Sequence, residues 1–229
     1  NAHVDTYHLL KAIPGSEKVK IGLVKNIFQF DPLRRWHLLD WVFSKILNDV
    51  YTNAPLEFLK TGKSSFYMPG MVDNEMLNPE APGTLDFIGL NYYSRMHVKG
   101  RLNSKEPFVF ETRKQDIMTD MGYPLYAEGF YRALKKISEV GVPIYVTENG
   151  LADDKDVIRP LFIERYLYAL NMALKERIDV RGYFYWSLMD NFEWAEGYSM
   201  KFGLYEVDLS TQERTLRKGS QPFIDMVTK

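Results

Sequence analysis

The stretch Tyr145-Val146-Thr147-Glu148-Asn149-Gly150 sets one carboxylate between an apolar, β-branched run and a glycine turn. Residues 142–146 read as a short buried strand and Asn149-Gly150 as the turn that ends it, so Glu148 is expected at the strand's C-terminal end. Just upstream, residues 126–140 carry a helical pattern, and Gly141 fits a left-handed cap that stops it. The local order is helix, short turn, strand.

Working outward, three more strands are expected, over 19–26, 85–92 and 180–187. Between them lie helical patterns. Leu33, Trp36, Leu39, Phe43, Ile46, Leu47 and Val50 recur at helical spacing and predict an amphipathic helix over 32–50, with Pro32 in its first turn. Another helix is expected over 158–176, and one over 2–13 at the start of the sequence. Residues 61–83, rich in Gly, Pro and Asn, show little periodicity, and residues 95–113 suggest a hairpin around Lys105-Glu106-Pro107.

Strands alternating with helices argue for parallel β/α units rather than a sandwich. Four such units are half of an eight-stranded barrel, whose complete form typically needs about 250 residues. At 229 residues the chain is short for a large barrel enzyme. With no internal repeat and no low-complexity linker, a single partial domain spanning 1–229 is expected. The first residues open directly into a helical pattern without an initiator Met or a leader layout, as if cut from a longer chain.

Composition excludes several functions. Twenty-nine Lys and Arg against 30 Asp and Glu leave a formal charge of -1, so there is no electrostatic case for nucleic acid or an anionic membrane. A neutral, small-molecule partner fits better. Without cysteine there is no disulfide framework, thiol nucleophile or zinc knuckle, and His3, His8, His37 and His97 show no ligand spacing, so no metal is expected. No apolar run approaches the ~20 residues of a membrane span. Compartment is left open, with a cytoplasmic origin favoured by the absence of an Asn-x-Ser/Thr sequon.

The last expected strand runs into Trp186-Ser187-Leu188-Met189-Asp190-Asn191-Phe192-Glu193-Trp194-Ala195-Glu196-Gly197-Tyr198. This loop, Thr147-Glu148-Asn149-Gly150 and Asp86-Phe87-Ile88-Gly89-Leu90-Asn91-Tyr92-Tyr93-Ser94 together resemble the family 1 glycoside hydrolases, the retaining β-glucosidase group. Three motifs match in the family's order, each at the end of an expected strand. The resemblance extends to Phe202-Gly203-Leu204, Val207-Asp208 and the C-terminal helix, and it covers only the family's second half. It implies the C-terminal half of a (β/α)8 TIM barrel, strands five to eight with their helices.

The resemblance also implies roles. Glu148 matches the carboxylate nucleophile and Tyr93 the tyrosine that hydrogen-bonds it, with Asn91 on the same floor. Trp186 matches a stacking platform for a sugar ring, Glu193 a grip on the outer hydroxyls, Trp194 an indole donor to a hydroxyl, and Phe202 a contact beside C6. Only one of Tyr92 and Tyr93 can face the mouth, because successive strand residues point to opposite sides, and Tyr92 is assigned to structure. Asp190 and Glu196 are assigned to loop architecture. Tyr123 stands where the family often has tryptophan, and Lys201 where it commonly has arginine.

A retaining glycosidase needs a second carboxyl, a general acid/base ~5–5.5 Å from the nucleophile. The family keeps it in a Thr-x-Asn-Glu-Pro motif after the fourth strand, and this sequence lacks that motif. Asp73-Asn74-Glu75 is a poor substitute, having no proline and no strand pattern before it, and Glu75 is expected in a surface loop. The chain is therefore expected to hydrolyse β-glycosides only with an N-terminal half as partner, and to need no cofactor. Two other readings compete: a non-catalytic sugar-binding barrel, which the presence of Glu148 disfavours, and a 6-phospho-β-glucosidase, in which Glu193 would repel the phosphate.

Overall fold

The computed structural model describes residues 1–68, 72–103 and 105–228. In chain order the elements are α1 (Ala2–Lys11), β1 (Gly22–Pro32), α2 (Leu38–Asn48), a π-helical turn (Asp49–Asn53), α3 (Ala54–Thr61), β2 (Lys63–Met68), β3 (Val72–Leu77), β4 (Phe87–Gly100) and β5 (Phe108–Glu111). They continue through α4 (Ala127–Ser138), β6 (Ile144–Asn149), α5 (Arg159–Lys175), β7 (Val180–Tyr185), β8 (Tyr205–Val207), β9 (Arg214–Leu216) and α6 (Gln221–Val227).

The central sheet runs β1-β4-β6-β7, each neighbouring pair parallel. Four strands with helices between them are part of the expected barrel. One side of the sheet is dry: Ile27, Ile88, Leu90, Tyr92, Ile144 and Val146 pack with Phe130, Leu134 and Ile137 of α4 and Phe162, Ile163 and Tyr166 of α5. The other side is open. Alternation sends Phe87, Tyr145 and Thr147 there, where with Lys20, Asp86, Pro143, Arg181 and Phe184 they line a hollow of about 430 Å³. Val24 and Phe184 stand 52% and 58% exposed on that side.

Several expected boundaries move. The first strand begins at Gly22 and continues to Pro32, so Pro32 ends a strand instead of opening a helix. The cause is long-range pairing: Gln29 to Pro32 lie in register with Arg95 to Val98. Phe30 also packs edge-on against Tyr51 at 5.7 Å and beside Phe110 at 6.0 Å. The expected strand over 85–92 likewise extends to Gly100, and its far half pairs antiparallel with β5, which is the hairpin expected around residues 105–107. Residues 61–83, expected to be aperiodic, hold the antiparallel pair β2 and β3. Glu75 is exposed there on a strand, not in a loop, and the side chains of Asp73 and Asn74 lie outside the described residues.

The amphipathic reading of 32–50 holds in part. Leu33, Leu39, Phe43, Ile46 and Leu47 are half-buried, with Phe43 against Phe108, but Trp36 and Val50 face solvent and the fully buried residues of α2 are Asp40 and Ser44. Asp40 is drawn inward by donors: the Arg34 backbone N–H at 2.9 Å, its guanidinium at 2.6 and 3.0 Å, and the Gly100 N–H at 2.8 Å. Burial pushes this carboxyl's pKa up, yet the Arg34 and Gly100 donors outweigh it and hold the group well below the usual carboxylate range. A depressed folded pKa contributes stability above the unfolded value near ~4 and loses it as pH falls below that. Replacing Asp40 with alanine is expected to cost about 2 kcal/mol in urea unfolding at pH 7, because the buried Gly100 N–H loses its acceptor. The difference between variant and parent should shrink as the same titration is repeated toward pH 3.

Candidate active site

Three neighbouring strands bring their side chains to one place, β4 at the point where its pairing with β6 ends. β4 supplies Asn91 and Tyr93, β6 supplies Glu148, and the chain leaving β7 supplies Trp186 and the loop behind it. Asn91 and Glu148 are register partners, so the two strands deliver their side chains at one level. The Tyr93 hydroxyl donates to Glu148 Oε2 at 2.7 Å. The Thr147 hydroxyl donates to Asn91 Oδ1 at 2.6 Å, which orients that amide beside the carboxylate.

Electrostatics ties further groups to this point. Burial, then the bond to Glu148 and its charge, then the charge of Glu193 drive the Tyr93 hydroxyl far above its ordinary pKa, so it stays protonated and donates. Tyr123 is raised by burial and by Glu193. The charge of Glu193 is thus felt at both tyrosines. Its Oε2 is buried and has no hydrogen-bond partner among the described residues. Phe202 is buried with its ring edge-on to Tyr93 at 6.4 Å.

The loop is braced from below. Gly150 permits the approach of Trp186, whose carbonyl oxygen would lie 1.7 Å from any Cβ placed there. The glycine thus serves close packing between β6 and the end of β7. The Trp186 N–H donates to the Asn149 carbonyl at 3.0 Å, and the Trp186–Ser187 peptide is cis. Asp190 accepts from the Gly203 N–H at 2.9 Å and pairs with Arg217 at 2.8 Å, both side chains nearly inaccessible, which fits its assignment to loop architecture. Glu196 is exposed.

Glu148, Tyr93, Asn91, Glu193 and Phe202 come together, and Trp186 joins them through its backbone. Trp194 does not: it sits in the left-handed region at φ 43°, 85% exposed, at the outer turn of the loop. Tyr92 lies in the helix-facing core, its hydroxyl donating to the Tyr126 carbonyl at 3.0 Å. Among the described residues no group of three or more His, Cys, Asp or Glu is arranged to hold a metal, and no helix is long and apolar enough to cross a membrane.

Sequence reasoning passes over Arg159. Its five donors all find acceptors: Asp156 at 2.8 Å, the Tyr185 hydroxyl at 3.0 Å, and the carbonyls of Phe202, Asp153 and Lys201 at 3.2, 2.9 and 3.0 Å. It fixes the segment that presents Phe202. The available signal is a lone charge in an otherwise apolar first turn, Arg159-Pro160-Leu161-Phe162.

The family model for glycosyl hydrolase family 1 matches residues 4–229. A β-galactosidase of Sulfolobus acidocaldarius is 41% identical over 92% of this chain and 43% of its own length. A 1,4-β-D-glucan glucohydrolase of Thermotoga neapolitana is 33% identical over 92% of this chain and 53% of its own. Among solved structures, a β-glycosidase from Pyrococcus horikoshii superposes with a TM-score of 0.80 at 37% identity, over 96% of this chain and 49% of that one. A family 1 β-glucosidase from Thermotoga maritima gives 0.83 at 28% identity, over 99% and 54%. The chain spans about half the length of these proteins.

Proposed function

The chain belongs to glycosyl hydrolase family 1, and from that premise we propose that it is the nucleophile-bearing, C-terminal half of a retaining β-glycosidase barrel. In this reading β1, β4, β6 and β7 are the fifth to eighth strands. Residues 1–229 form one partial domain, and an N-terminal half supplies the rest. The observation that carries the proposal is the 2.7 Å bond from Tyr93, just past the point where β4 stops pairing with β6, to Glu148 at the C-terminal end of β6.

Glu148 attacks the anomeric carbon while a carboxyl from the other half protonates the leaving oxygen, giving an ester-linked glycosyl-enzyme. Water, deprotonated by that same second carboxylate, then releases the sugar with its configuration retained. Tyr93 holds the nucleophile in place. Asn91, Trp186, Glu193 and Phe202 form the sugar site, in which Glu193, whose Oε2 has no partner among the described residues, accepts a sugar hydroxyl; Trp194, exposed at the outer turn of the same loop, is assigned to it on the family resemblance alone. Substrates are terminal, non-reducing β-D-glucosyl, galactosyl or fucosyl groups, consistent with the names of the galactosidase and glucohydrolase relatives.

Covalent trapping tests the assignment. With the remaining half present, a 2-deoxy-2-fluoro glycoside should label the peptide containing Glu148, and an active enzyme labelled elsewhere would refute the role. Phosphorylated substrates are disfavoured because the Glu193 carboxylate opposes a phosphate. Faster hydrolysis of a 6-phosphoglycoside than of its parent sugar would reverse that choice.

A further inference from the structure

Where β1 advances two residues, from Ile27 to Gln29, its partner β4 advances three, from Tyr92 to Arg95. One extra residue is therefore inserted around Tyr93, and such a bulge re-aims a side chain while taking its backbone out of the regular ladder. The β4 to β6 register also ends before it, at Asn91 and Glu148. The Tyr93 carbonyl is caught from the helix layer instead: the hydroxyl of Tyr166 on α5 donates to it at 3.1 Å. That hydroxyl in turn accepts the Tyr126 N–H at 3.1 Å, so its donor and acceptor capacities are both used. Tyr166 is fully buried, its ring stacked on Phe162 at 3.9 Å.

We propose that Tyr166 is a positioning residue for the hydrolytic reaction, its hydroxyl fixing the bulged backbone of Tyr93 and through it the donor that holds Glu148. The inference rests on the reading of Glu148 as nucleophile. Asn149 gives the neighbouring strand an equivalent brace, since its Nδ2 donates to the Tyr92 carbonyl at 2.6 Å and its Oδ1 accepts from the Tyr183 hydroxyl at 2.7 Å. The free hinge in this arrangement is Tyr93, and Tyr166 closes it.

The test is made on the enzyme assembled from both halves, with the rate of 2-deoxy-2-fluoro glycoside trapping read against the dissociation constant for glucose. Tyr166→Phe keeps the ring packing and should slow trapping about ten-fold with glucose affinity changed less than about two-fold. In a Tyr93→Phe background the same substitution should slow trapping by less than about two-fold, because its route is already removed. Substituting 4-aminophenylalanine for Tyr166 keeps a weaker donor, and should give an intermediate rate even where the phenylalanine variant does not fold. Tyr92→Phe, which removes a buried hydroxyl nearby without touching the Tyr93 carbonyl, should lower melting temperature and leave trapping unchanged. Parental trapping rates in either folded Tyr166 variant, or equal slowing in both backgrounds, would overturn this role while leaving Glu148 labelled. Absence of label on Glu148 in the active enzyme would overturn both readings.

Discussion

Replacing Glu148 with glycine, in the enzyme assembled from both halves, is expected to lower kcat/KM for an aryl β-glucoside by about 10⁵-fold, the scale on which removal of a covalent nucleophile is felt. Melting temperature should change little, because the Glu148 side chain is only partly buried and, among the described residues, its one side-chain hydrogen bond is to Tyr93. Activity lost without stability is what separates a reacting group from a supporting one. A second measurement sharpens this. The glycine leaves space beneath the anomeric carbon, and added azide can enter from the face the carboxylate occupied. With an activated leaving group that needs no acid, azide should restore turnover and give the α-glycosyl azide, of configuration opposite to the substrate. Recovery of a β-glycosyl azide, or full activity in the glycine variant without azide, would show that Glu148 is not the nucleophile. Tyr93→Phe should produce a smaller loss of about 10²-fold, because one donor is removed and the carboxylate remains.

Much of this site was legible because its signals are local. Glu148 sits between a β-branched run and a glycine, and a strand end is readable from six residues; alternation says that only one of Tyr92 and Tyr93 can face the mouth, and the family resemblance picks Tyr93. The reading failed where distant chain decided the outcome. Residues 28–32 have alternating aromatics and a proline, consistent with either element, and only their ladder to Arg95, Met96, His97 and Val98 makes them a strand. Nothing in the expected helix over 32–50 marks Asp40 for burial, because one of the donors that hold it, the Gly100 N–H, lies far along the chain. Gly150 was legible as a turn residue, whereas its use is the close approach of the Trp186 carbonyl. The bulge at Tyr93, and therefore the part played by Tyr166, depends on a mismatch between two strands that neither strand's sequence displays.

These 229 residues alone are expected to show no measurable hydrolysis of an aryl β-glucoside, and mixing them with a separately produced N-terminal half should restore it by at least about 10³-fold. Two terms contribute. General acid help accounts for typically 10²- to 10⁴-fold in such proton transfers, and Glu75 lies exposed on β3, which pairs with β2 and not with the sheet that carries Glu148. The second term is architectural. β1 and β7 are the outer strands of the parallel sheet, and the side away from the helices holds a hollow of about 430 Å³ with Val24 and Phe184 standing open beside it. A barrel interior is normally filled by side chains from all its strands, so the other half has both edges to pair and a wall to pack against. Mixing should therefore be accompanied by a one-to-one complex in sedimentation and by slowed amide exchange along β1 and β7. Changing Val24 and Phe184 to aspartate should weaken assembly without unfolding the helix-facing core, since neither contributes to it. Robust hydrolysis by the 229-residue chain on its own would remove the premise, because the acid would then have to lie within it. A complex that forms and remains inactive would instead point to the second carboxylate of the N-terminal half and favour the sugar-binding reading.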